Sequence, residues 1–378
     1  MKEVKNIDHI KHSLGIGSKI IIAGGGTGGH IFPALAIANE LIELRPSIQI
    51  LFVGAKGKME MEKIPQAGYK IIGIDIAGFN RSSLIKNIAL PLKLIKSFLQ
   101  VREIIKEFKP DAVIGVGGYS SFPVLRFAQS KHIPTYLHES NSYAGTSNIL
   151  LGRKATKIFV ATEGMEKFFP ANKLMITGNP VRKIIAKSTV TRTAGIHFFK
   201  LDEHKKTVLV VGGSLGAKSI NDAIAAHLDA FEKNNLQLIW QTGKTTAAKY
   251  ISIASGRKNV WVKDFIYEME MAYAAADAVI SRAGAMAVSE LCIVEKPVIF
   301  VPYPNASEDH QTANAMYLVN KKAALIVKDG EAPFVLVDVL TDLMRSEKLQ
   351  IQLKENIAKL AITNADEVIA NEILKNLK

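Results

Sequence analysis

The chain has 378 residues, too many for one ordinary core and suited to two α/β domains. Its 48% hydrophobic and 22% charged residues are those of a globular protein, which excludes a disordered chain. A formal net charge of +13 points to an anionic partner, whether nucleotide, nucleic acid or acidic membrane surface, and composition does not choose among them.

The opening stretch, MKEVKNIDHIKHSLGIGSK, is charged throughout and lacks the apolar core of a signal peptide, which argues against export. No later run approaches the roughly 18 consecutive apolar residues of a spanning helix, so membrane contact is expected to be peripheral.

Residues 20–41, IIIAGGGTGGHIFPALAIANEL, run from a β-branched strand through five glycines into a helical pattern carried by Leu35, Ala38 and Leu41. Glycines at a strand-to-helix turn reach backbone angles closed to other residues, and the amides opening the helix favour an anion, with phosphate the natural candidate. The alternative is a turn that merely lets helix and strand pack closely. Gly24, Gly26 and Gly29 also match the dinucleotide fingerprint, but the next strand, in IQILFVGAKG, ends without the acidic residue that a nicotinamide enzyme places on the ribose. His30, at the start of the helix, is expected to be neutral and able to take a proton, or to anchor the turn by hydrogen bonding.

Further strand-like runs lie at 48–53, 69–74, 111–116, 134–138, 157–161 and 174–177, alternating with helical stretches, which implies a parallel sheet covered on both faces. Between 78 and 101 the chain carries Arg81, Lys86, Lys93 and Lys96 and no acid, interleaved with Phe79, Leu84, Ile85, Ile88, Leu92, Ile95 and Phe98. That mixture suits the headgroup region of an anionic membrane, and equally a core helix with a solvated lysine face. DAVIGVGGYSSFPVLRFA at 111–128 supplies a second glycine turn, and HESNSYAGTSN at 138–148 is expected to bring His138, Glu139 and Asn141 to the cleft side of this domain.

After TGNPVR at 177–182 the texture turns polar and loses its period, which places the linker at KIIAKSTVTRTAGIHFFKLDEHKK. The pattern then restarts with TVLVVGGSLGAKSINDAIAAHL at 207–228, followed by strand-like runs at 236–241, 260–265, 278–281, 297–301 and 323–327. In AVISRAGAMAVSELC, Glu290 stands on a helix after a glycine turn, placed to accept from both ribose hydroxyls, unless it is an ordinary solvated face residue. The lone cysteine, Cys292, excludes an intramolecular disulfide, fits a reducing compartment and reads as core rather than nucleophile. In PYPNASEDHQTANA, Gln311 is a candidate for a sugar hydroxyl and Asp309 for a helix cap. Arg182 is a candidate counter-charge for a departing diphosphate, or a surface charge. No Asp-x-Asp, Cys-x-x-Cys or His-Glu-x-x-His is present, so neither metal nor cofactor is expected. Basic residues dispersed without interleaved stacking aromatics rank nucleic acid last among partners.

GGGTGGHIFPALAIA, GVGGYSSFP, HESNSYAG, TGNPVR, GGSLGAKSIN, SRAGAMAVSE and DHQTANA, in this order over residues of about 20 to 320, resemble the bacterial peptidoglycan N-acetylglucosamine transferases of glycosyltransferase family 28. The resemblance implies a GT-B fold, α/β, with two Rossmann-like doubly wound parallel-sheet domains facing a cleft. It implies an acceptor and membrane-associating domain at 1–182, a UDP-GlcNAc-binding domain at 183–360, and a terminal helix at 361–378 packing back on the first. Donor contacts carried over are Thr27, Gly28, Gly29, Asn141, Arg182, Ser214, Ile266, Ala285, Met286, Ala287, Val288, Ser289, Glu290 and Gln311, with Ile266 recognising uracil through its main chain. The implied reaction is an inverting, metal-independent transfer of GlcNAc from UDP-GlcNAc to the C4 hydroxyl of MurNAc in lipid I, giving lipid II. His30 is the candidate base, and the implied setting is the cytoplasmic face of the inner membrane beside other cell-wall synthesis proteins. Ser140 and Ser142 flank Asn141 where the family often has glutamine and glycine, and Leu215 stands where glutamine is frequent. A UDP-GlcNAc 2-epimerase on the same fold and a non-catalytic nucleotide-binding protein are the alternatives.

Overall fold

The computed structural model describes residues 17–78 and 90–377; the N-terminal stretch and Phe79, Arg81, Leu84, Ile85, Lys86 and Ile88 of the basic apolar segment lie outside the described residues. The chain divides into two compact units, one of residues 1–140, 144–180 and 364–378, the other of 141–143 and 181–363.

In the first unit the strands are β1 (Lys19–Ala23), β2 (Gln49–Ala55), β3 (Lys70–Ile74), β4 (Ala112–Gly115), β5 (Thr135–Glu139), β6 (Lys157–Val160) and β7 (Leu174–Ile176), ordered β3-β2-β1-β4-β5-β6-β7 and parallel throughout. In the second they are β8 (Lys206–Val211), β9 (Leu236–Gln241), β10 (Val260–Lys263), β11 (Ala278–Ser281), β12 (Val298–Phe300) and β13 (Leu325–Ile326), ordered β10-β9-β8-β11-β12-β13 and again parallel. The strand order reverses between β1 and β4 and between β8 and β11, and ligands of doubly wound sheets bind at such switch points.

Side-chain alternation splits each central strand between two cores. Ile20 and Ile22 pack with Ile37 and Leu41 of the Gly28–Leu44 helix, whereas Ile21 joins Val113, Leu125 and Leu137 on the other face. Val208 and Val210 face Ile220, Ile224 and Trp240, while Leu209 faces Ile266, Ala272 and Leu291. Strands buried on both faces read as continuous apolar runs, which is why IIIA and VLVV show no polar alternation.

The stretch expected to be a linker is a folded part of the second unit. Lys183–Ala186 and Arg192–Phe198 are helices, and Ile185, Ile196 and Phe199 are buried in the core with Val181. Thr191 Oγ1 accepts from Ala194 N at 3.2 Å, and Arg192 donates to both oxygens of Asp277 at 3.3 and 3.1 Å and to the carbonyls of Glu203 and Lys205. Helices of four and seven residues are too short to display a period, so their polar flanks dominated the pattern. The chain's last helix, Ala365–Lys375, belongs to the first unit: Ile369, Ala370 and Ile373 complete the core under the Gly28–Leu44 helix.

Candidate active site

At the switch point of the first unit two glycine turns interlock. The turn after β1 takes Gly26 to φ +88°, and the turn after β4 takes Gly118 to φ +85°, where a Cβ would lie 2.4 Å from the Gly25 carbonyl oxygen. Gly25 N–H donates to Gly117 O at 3.3 Å, and Ser121 Oγ donates to the carbonyls of Ala23 and Gly117. Thr27, in extended conformation, precedes Gly28 and Gly29 in the first helical turn, and its carbonyl accepts from His30 N and Ile31 N. The His30 ring lies against Gly117, where a Cβ would come within 2.7 Å of Cδ2. His30 Nδ1 sits 2.9 Å from Gly25 O, and since a carbonyl only accepts, Nδ1 carries a proton, which in the neutral form of the ring leaves the lone pair on Nε2. The structure thus brings Thr27, Gly28, Gly29 and His30 to one turn.

His138 and Glu139 are not displayed as expected; both are buried, and the reason is partners inside the first unit. Glu139 Oε2 accepts from Gly145 N at 3.1 Å and from Asn148 Nδ2 at 2.8 Å, which ties down the loop before the Thr146–Gly152 helix. The His138 ring is fully enclosed, and burial pushes its pKa down to about 4 despite a backbone hydrogen bond at Gly178. Asn141 groups instead with the second unit, where its Oδ1 accepts from Asn314 Nδ2 at 3.2 Å.

In the second unit the Ala285–Ile293 helix starts just past β11, carrying Ala285, Met286, Ala287, Val288, Ser289 and Glu290 in its first two turns. Glu290 is buried, so it is not a solvated face residue. One of its oxygens lies 3.3 Å from Arg182 Nη2, and the other accepts from Tyr273 OH at 2.9 Å. Burial raises the Glu290 pKa, opposed by the Arg182 charge and the Tyr273 hydroxyl, and the same burial beside the carboxylate lifts the Tyr273 phenol well above its usual value. Arg182 is therefore ion-paired with Glu290 rather than a stray surface charge.

Ser214 is exposed in the turn after β8, and Ile266 is buried in the loop after β10. A buried residue couples them: Gln241 Nε2 donates to Gly213 O at 3.1 Å, and its Oε1 accepts from Ile266 N at 3.0 Å. The Ile266 N–H is thereby engaged within the protein. Gln311 opens the His310–Asn320 helix, and its Oε1 accepts from Tyr303 N at 3.0 Å; Asp309 makes no side-chain cap there, contrary to the capping alternative. Cys292 is buried with its thiol pushed up to about 12, which fits core and not nucleophile.

Three polar side chains of these clusters were not singled out from the sequence: Gln241, Tyr273 and Asn314. Asn314 lies inside the quoted DHQTANA, and it donates to Ala283 O at 3.1 Å just before the Glu290 helix while accepting from Ser142 N at 2.8 Å. Only that motif carried a usable signal; Gln241 ends a strand-like run and Tyr273 stands in a helical stretch, neither within a motif.

Two doubly wound units in series, with glycine turns at both switch points and a buried carboxylate paired to an arginine in the second, define an enzyme of the GT-B class. Residues 20–160 match the glycosyltransferase family 28 N-terminal domain, and residues 207–372 match the glycosyltransferase family 28 C-terminal domain. The chain belongs to glycosyltransferase family 28, and it is a glycosyltransferase. It is 52% identical over 361 residues, 94% of this chain and 97% of the relative, to the UDP-N-acetylglucosamine--N-acetylmuramyl-(pentapeptide) pyrophosphoryl-undecaprenol N-acetylglucosamine transferase of Bacteroides thetaiotaomicron. Among solved structures, Acinetobacter baumannii MurG superposes with a TM-score of 0.77 at 31% identity, covering 95% of this chain and 99% of that one. A UDP-GlcNAc 2-epimerase from Neisseria meningitidis bound to UDP-GlcNAc shares the fold alone, with a TM-score of 0.64 at 15% identity over 94% of this chain and all of that one.

Proposed function

We propose that the chain transfers N-acetylglucosamine from UDP-GlcNAc to the C4 hydroxyl of MurNAc in undecaprenyl-pyrophosphoryl-MurNAc-pentapeptide, forming lipid II with inversion at the anomeric carbon and without a metal ion. The observation that carries this reading is the Arg182–Glu290–Tyr273 cluster at the carboxyl end of the second sheet, in a chain half identical to a relative named for that reaction.

In this reading the second unit holds the donor. Glu290 accepts from the ribose hydroxyls, the Ile266 carbonyl meets the uracil N3–H, and Asn141 and Gln311 serve the sugar. The diphosphate lies on the amides of Ser214 and of Ala285, Met286 and Ala287 at the start of their helix, with Arg182 as the cation; Thr27, Gly28 and Gly29 offer further amides on the first unit. The first unit binds the acceptor. The acceptor hydroxyl gives its proton to His30 Nε2 as its oxygen bonds to C1 of GlcNAc; the bond from C1 to the phosphate oxygen breaks, and UDP leaves with the electron pair. Helix-terminal amides and a guanidinium supply the counter-charge that other transferases take from a divalent cation.

No helix among the described residues is long and apolar enough to cross a membrane. The Leu90–Phe108 helix nevertheless exposes Leu92 at 72%, Ile95 at 60% and Leu99 at 57%, beside Lys93 and Lys96. These side chains support peripheral contact with an anionic membrane on the cytoplasmic face, where a lipid-linked acceptor is presented. Lys96 is also paired with Asp75 at 3.0 Å, so part of the basic character of the segment is met internally.

Purified protein, labelled UDP-GlcNAc and a lipid I analogue with excess chelator test the reading. Disaccharide-lipid formation is expected; a requirement for added metal removes the counter-charge argument, and UDP-sugar turnover without acceptor favours the epimerase instead.

A further inference from the structure

The glycine turn after β1 contains its own carboxylate. Glu60 opens the Glu60–Gln66 helix, and its residue exposure is 1%. One carboxylate oxygen accepts from Gly26 N at 2.7 Å, and the other accepts from Ala55 N, at the end of β2, at 3.0 Å. Two glycines make room for it: a Cβ on Gly25 would lie 2.2 Å from Glu60 Cδ, and one on Gly54 would lie 2.5 Å from Cγ. A carboxylate is retained at such depth only where donors replace its water, and here both donors are main-chain amides of the two segments that end β1 and β2.

Two consequences follow. The Gly26 amide is already occupied by a negative group, so it is withdrawn from any set of amides that holds a donor phosphate; the glycine-rich look of this turn reflects the close approach of Glu60 as much as an anion site. The second concerns Gly25, which lies between the clamped Gly26 and Gly24, whose N–H donates to Val53 O at 3.2 Å, and whose carbonyl accepts from His30 Nδ1. Fixing the peptide on either side of that carbonyl fixes the acceptor that selects the imidazole tautomer.

We propose that Glu60 is a positioning residue for the transfer: by pinning the first glycine turn it holds the Gly25 carbonyl on His30 Nδ1 and so keeps Nε2 unprotonated and in place to take the acceptor's proton. This rests on His30 acting as the base, and the test separates the two ideas.

Glu60→Gln keeps the side chain's size but replaces one acceptor oxygen by an NH2, which faces a backbone N–H and loses one of the two bonds. In the full-length chain labelled with 15N-histidine, at a pH where the ring is neutral, wild-type His30 is expected to show the Nδ1–H tautomer and E60Q a mixture with Nε2–H. With it, kcat should fall about tenfold or more, the KM for UDP-GlcNAc should stay within about threefold, and the acid limb of the kcat pH profile should move. Glu60→Asp, which keeps the charge and retreats by one methylene, should lie between the two and stands in if E60Q does not fold. An unchanged His30 tautomer in the variant overturns the proposal, as does a changed tautomer with unchanged kcat and pH profile. Full turnover by His30→Ala would remove the base assignment, and the spectra would still decide what Glu60 does to the ring.

Discussion

His138 and Tyr273 show how burial turns ordinary side chains into measurable signatures. Burial lowers the His138 pKa from 6.5 to about 4, so between those values the unfolded chain binds a proton that the folded first unit refuses. Stability is therefore unaffected above about pH 6.5 and falls as the pH drops towards 4, by about 3 kcal/mol in total from this group. Urea midpoints of the first unit at pH 7 and pH 4.5 measure this, and His138→Asn should flatten the difference; an unaltered slope would remove His138 as its source. Tyr273→Phe takes one donor from buried Glu290 while keeping the ring, which leaves an unmet acceptor costing about 1–3 kcal/mol. If Glu290 holds the ribose, the variant should bind UDP about tenfold more weakly by calorimetry with kcat changed less than about threefold. Equal affinity would mean that Arg182 alone suffices to hold the carboxylate.

At the scale of elements, the terminal helix is the clearest case of structure supported by packing. An isolated helix of 11 residues is marginal in water, and Ala365–Lys375 persists because Ile369, Ala370 and Ile373 are buried against the Gly28–Leu44 helix. Ile373→Ala should destabilise the first unit by about 2–4 kcal/mol, seen as a lower urea midpoint there and not in the second unit. Strand and turn positions were legible because their signals are local: a β-branched run, then glycine, then a helical period. The Arg192–Phe198 helix was not, because what holds it is remote in sequence: Asp277 grips its arginine, and Gly195 lets it approach Met271 and Ala275 closely.

For the whole molecule, the net charge of +13 and the exposed apolar row of the Leu90–Phe108 helix bear on where the enzyme works. Co-sedimentation with anionic vesicles should weaken with rising salt, and Ile95→Glu should reduce it at least about fivefold while turnover on a water-soluble acceptor analogue is retained. Equal binding by the variant would place the membrane surface elsewhere.

The sequence by itself determined that two parallel α/β units follow one another, where their glycine turns lie, and which helix carries the ribose carboxylate candidate. Each of these is written in contiguous residues whose periodicity and backbone freedom act over a single turn or strand. Only the tertiary structure decided that Glu60 fills the first glycine turn, that Arg182 and Tyr273 share Glu290, that Gln241 joins the two loops of the second unit, and that His138 is sealed from water. The physical reason is that a buried polar group is specified by its partners, and here those partners come from segments far apart along the chain that only the packed sheets bring within hydrogen-bonding distance.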